Sequence, residues 1–71
     1  MLHYVEVIGP FDQTVIGPFA TKESANTFKT GLHDKLDPNV FDIYVYDQVT
    51  YDNKVAYGPV KLVAAHDYVV P

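Results

Sequence analysis

Three histidines, one serine and nine acidic residues are the first candidates for catalysis or metal binding in this 71-residue chain. His3, His33 and His66 are scattered, and none stands at the i, i+4 spacing that a helical zinc chelate uses. His33-Asp34 and His66-Asp67 are both His-Asp pairs of the kind found in metal phosphohydrolases. Neighbours on a helix point about 100° apart, and successive residues of a strand face opposite sides, so neither pair chelates by itself. Ser24, the sole serine, sits at the start of a helical pattern, where capping is the expected role. The carboxylates show no pattern placing two of them in one apolar pocket. The glycine–proline turns are not phosphate cradles, because proline deletes one of the N–H groups such a loop presents. The sequence is therefore read as non-catalytic, with no metal ligand and no cofactor; a small metal-dependent hydrolase is the least favoured alternative.

Composition narrows the remaining classes. A chain this short forms one domain, residues 1–71, near the lower size limit for folding without staples. Cysteine is absent, so disulfides and thiolate metal sites are excluded, which fits a reducing compartment. Six tyrosines and four phenylalanines supply large areas for burial. A small unstapled core is expected to be supplemented by self-association, giving a homodimer. No apolar run approaches the roughly 20 residues needed to span a bilayer, and residues 1–6 lack the features of a secretion signal. The chain is expected to be complete and cytoplasmic, without a membrane partner. A net charge of −4 with scattered lysines and no arginine disfavours a nucleic-acid partner.

The elements that must position any site follow from periodicity. Residues 2–8 alternate as a strand, with His3, Val5 and Val7 on one face and Leu2, Tyr4, Glu6 and Ile8 on the other. Gly9 to Gln13 carries turn chemistry, and Thr14 to Gly17 returns as the second strand of a hairpin. Gly17 and Pro18 are expected to stop that strand. Phe19 follows, and Thr21 is placed to cap a helix running from Lys22 to about Leu36. Ala25, Phe28, Leu32 and Leu36 form its apolar stripe. Burying three large side chains is worth roughly 1.5–3 kcal/mol each. Ordering costs about 1–2 kcal/mol per residue, so the helix requires a sheet to lie on. Asp37-Pro38-Asn39 ends it.

Val40 to Thr50 reads as the clearest strand, with Phe41, Ile43 and Val45 opposite Asp42, Tyr44 and Tyr46. Asp52-Asn53 is a plausible hairpin turn, and Lys54 to Tyr57 would return as a fourth strand. Residues 60–70 lean towards strand but also fit a helical turn. The expected fold is α+β: a two-layer ββαββ unit with a mostly antiparallel sheet in the order 2-1-3-4 and one helix on one face. That leaves an open sheet face bearing Tyr4, Glu6, Asp42, Tyr44 and Tyr46. An aromatic, amphipathic surface of this type is enriched at interfaces, although cross-strand tyrosine pairs also stabilise a solvated sheet. These five residues are the candidate binding surface, with an edge strand as the alternative interface, and Gly17, Pro18, Phe19 and Thr21 form the structural junction.

Two resemblances centre on Val15-Ile16-Gly17-Pro18-Phe19-Ala20-Thr21-Lys22-Glu23-Ser24-Ala25-Asn26. This run is similar to short proteins of unassigned function encoded by bacteriophages of actinobacteria. In those, a hairpin ending in Gly-Pro-Phe precedes a Thr-x-Glu-x-Ala helix start and a further strand. That resemblance covers about residues 3–46 and implies a phage accessory protein acting in the host cytoplasm by binding a host or phage protein, or itself. The run also resembles half of the sporulation-related repeat (SPOR) domain, as does Tyr4-Val5-Glu6-Val7-Ile8-Gly9-Pro10-Phe11. That implies the alternative of a peptidoglycan-binding module, although one of that domain's two helices has no counterpart here.

Overall fold

A computed structural model describes residues 1–71. The first hairpin pairs β1 (His3–Ile8) with β2 (Gln13–Phe19). The amide of Gly9 donates to the carbonyl of Asp12 at 2.8 Å, leaving Pro10 and Phe11 at the tip. Gly17-Pro18, predicted to stop β2, does not do so. The register shifts by one residue between His3↔Phe19 and Val5↔Ile16, so the extra residue is absorbed as a bulge and the strand continues. Gly17 takes a φ of +153°, outside the range L side chains favour, and the Gly17–Pro18 peptide is cis. A Cβ there would also lie 2.9 Å from Cδ2 of Tyr4.

Helix α1 (Lys22–His33) starts where the sequence places it. Thr21 accepts from the Ser24 amide at 3.1 Å, and the Thr21 amide donates back to the Ser24 hydroxyl at 3.4 Å. Ser24 is therefore a capping residue. The helix passes through Gly31 and ends at His33, three residues short of expectation; Leu36 still reaches the core from the following turn. Ala25, Leu32 and Leu36 pack on Val5, Val7 and Ile16, with Phe28, Phe41, Ile43 and Val45 around them. Phe19 closes the end of this layer against Phe28, ring centroids 5.3 Å apart.

The architecture departs from expectation beyond β3, which spans only Asp42–Asp47 rather than 40–50. Asp47 accepts from the Thr50 amide at 3.1 Å and caps a second helix, α2 (Gln48–Tyr57). The expected turn at Asp52-Asn53 and the expected strand at 54–57 both lie inside α2. Asp52 instead accepts from the Gln48 side chain one turn earlier, at 2.8 Å. The fourth strand is β4 (Leu62–Val63), parallel to β2 on the far edge, followed by a 3-10 turn at Ala65–Asp67. The sheet is mixed, in the order β3-β1-β2-β4. The predicted 2-1-3 neighbourhood holds, while the fourth position moves to the opposite side. No helix is long and apolar enough to cross a membrane.

Candidate functional site

The face predicted to be open carries α2. Tyr4 and Glu6 are 4 % and 2 % exposed, Tyr46 is half-buried, and among the predicted surface residues only Asp42 and Tyr44 are exposed, Tyr44 by 51 %. The five residues do share one sheet face, as the register Tyr4↔Tyr46, Glu6↔Tyr44 and Ile8↔Asp42 requires. They do not form one accessible surface.

Polar and aromatic contacts hold α2 in place, and none of its residues is fully buried. The Tyr4 hydroxyl donates to Oε1 of Gln48 at 2.7 Å, and its ring stacks on Tyr51 with centroids 4.1 Å apart. One turn on, Nζ of Lys54 lies 3.1 Å from Oε1 of Glu6 and 5.3 Å from the centre of the Tyr46 ring. Tyr51 and Lys54 stand three apart, on one side of the helix. Gln13 donates its side-chain amide to Oε2 of Glu6, so both carboxylate oxygens have partners. The Tyr46 hydroxyl is buried without a well-formed hydrogen bond. Its pKa is raised, first by burial and then by the neighbouring Glu6 carboxylate.

Two further features flank this face. Strand β3 is the sheet edge. The Gln48 amide donates to the Leu2 carbonyl at 2.9 Å, one position beyond the His3↔Asp47 pair. Hydrogen-bonded pairs alternate in an antiparallel ladder, so Tyr46, Tyr44 and Asp42 bond to β1. Ile43 and Val45 therefore direct their N–H and C=O groups away from the sheet, where no backbone partner meets them. Towards the other edge, a concavity of about 750 Å³ opens between the end of α2, the connection 58–61 and strands β1 and β2, and is lined by Glu6, Gln13 and Lys54. Sequence reading missed the cavity, and its order 2-1-3-4 put β3 inside the sheet and not at the edge. The cavity depends on α2, and the free edge depends on the fourth strand lying elsewhere.

The histidines are not assembled into a site. His66 makes an exposed contact with Asp67, 3.5 Å from Nε2 to Oδ1, and no three His, Asp or Glu side chains converge as a metal cluster would require. No family model matches the chain, and no curated protein or solved structure is significantly similar to it.

Proposed function

We propose that this protein is a non-catalytic interaction module that pairs with another polypeptide strand along the outer edge of β3. The observation that carries this reading is the unpaired backbone of Ile43 and Val45 beside the exposed ring of Tyr44. An uncovered edge is a template for strand addition: main-chain bonds supply affinity and alternate side chains supply selectivity. The added strand comes from a second copy of the chain, or from a host or phage protein if the run 15–26 marks a phage accessory protein. In that setting the module acts in the host cytoplasm.

The test combines ultracentrifugation over a dilution series with amide spectra of the labelled protein. Association should move the Ile43 and Val45 amide resonances, and Tyr44→Lys should weaken it, since a lysine on an edge strand opposes pairing. Association that leaves both amides unmoved and survives Tyr44→Lys overturns the edge assignment. A strict monomer removes the self-pairing form of the proposal.

A further inference from the structure

The concavity beside α2 has a volume of about 750 Å³, within the roughly 300–1,000 Å³ typical of small-molecule sites. Val15, Pro59 and Val60 give it apolar walls, and Glu6, Gln13 and Lys54 bring polar atoms together at its inner end. The Glu6 side chain is only 3 % exposed, so its carboxylate belongs to the interior and not to a solvated rim.

Hydrogen-bonding capacity remains at that end after the internal contacts are made. Lys54 uses one direction on Oε1 of Glu6, leaving further N–H donors. Each Glu6 oxygen has one protein partner and can accept again. Oε1 of Gln13 accepts nothing. Free donors and free acceptors thus stand side by side, the Glu6 and Lys54 charges cancel, and Lys61, the other lysine of the lining, is paired with Asp12 at 3.4 Å.

This arrangement selects by charge. An anion entering the cavity meets the fixed Glu6 carboxylate, and the lysine charges that would attract it are already paired, Lys54 with Glu6 and Lys61 with Asp12. A cation meets Lys54 where it would need to reach Glu6. A neutral planar group that donates on one side and accepts on the other satisfies both without burying a new charge, the costlier alternative. We propose that this cavity is a binding site for a neutral small molecule bearing a carboxamide-type donor–acceptor group. The amide N–H₂ donates to Glu6, its oxygen accepts from Lys54, and its apolar body lies against Val15, Pro59 and Val60. The site faces away from the β3 edge and does not depend on strand addition there.

Three probes of one size separate the charge states: benzamide, benzoate and benzylamine, each titrated into the labelled full-length protein. Benzamide should shift the Gln13 side-chain amide and the Val60 and Lys61 backbone amides saturably. Its affinity should be millimolar, the scale expected of so small a ligand, and about tenfold above that of either charged probe. Lys54→Met frees Glu6 and should reverse the order, favouring benzylamine. Equal or tighter binding of benzoate or benzylamine to the unmodified protein overturns the proposal, as does the absence of saturable shifts at those three residues. If Lys54→Met fails to fold, the ranking of the three probes on the unmodified protein decides.

Discussion

The ring of Tyr4 on β1 lies parallel to that of Tyr51 on α2, with centroids 4.1 Å apart and planes inclined by 9°. This stack ties the second helix to the sheet, because α2 has no fully buried residue of its own. Aromatic pairs contribute about 0.5–1.5 kcal/mol beyond their buried area. Tyr51→Ala should therefore destabilise the protein by about 1–3 kcal/mol in chemical denaturation. Hydrogen exchange should quicken first in the amides of residues 51–57, ahead of those in β1 and β2.

Removing Lys54 leaves the Glu6 carboxylate buried with only Gln13 as partner. Breaking a fully buried ion pair costs about 3–5 kcal/mol; the Lys54 end is 38 % exposed, so Lys54→Met should cost less, about 1–3 kcal/mol. Adding Glu6→Gln to Lys54→Met removes the unpaired charge and should recover a good part of that loss. Denaturation midpoints of the two single variants and the double variant close the cycle.

Gly17 has no tolerant substitute. Its φ of +153° strains any side chain, and the Cβ would meet the Tyr4 ring, which Gln48 and Tyr51 hold from the other side. Gly17→Ala should lower stability by about 1–3 kcal/mol. Gly31→Ala, where a Cβ meets nothing within 4 Å, should instead gain about 0.5–1 kcal/mol from helix propensity. Thermal unfolding of the pair shows opposite signs.

Alkaline pH should unfold the protein through its tyrosines. Burial first, and Glu6 second, raise the pKa of Tyr46 above its ordinary value of 10.0. Burial and then Asp12 raise that of Tyr68. Below pH 10 these hydroxyls are protonated in both states and stability does not respond to them. Above it the unfolded chain gives up protons that the folded chain keeps, so stability falls as pH rises towards the folded pKa values. Tyr46→Phe should flatten that decline, as read from denaturation curves at successive alkaline pH values.

The α1 cap offers a local control. Thr21→Ala removes the oxygen that accepts from the Ser24 amide and should cost about 1 kcal/mol, whereas Thr21→Ser should be nearly neutral. Helical circular dichroism and thermal unfolding report both.

The amino-acid sequence by itself placed the elements of the first two-thirds of this protein, though not the ends of β2, α1 and β3. Alternation put Val5, Val7, Ile43 and Val45 on one side of a sheet, and the Ala25-Phe28-Leu32-Leu36 stripe could only cover that side. Both patterns are local, and each strand or helix there carries its own periodic signal. Residues 48–57 carry none. Val49, Thr50 and Tyr51 favour strand, Asp52-Asn53 imitates a hairpin turn, and no apolar stripe marks a helix. What decides the matter there is tertiary: Asp47 caps the first turn, Tyr51 finds Tyr4, and Lys54 finds Glu6, contacts 47 and 48 residues apart in the chain. A single strand sequence cannot encode which distant carboxylate will need a counter-charge, and so the covered tyrosine face, the free β3 edge and the cavity exist only once the sheet has brought β1 beneath α2.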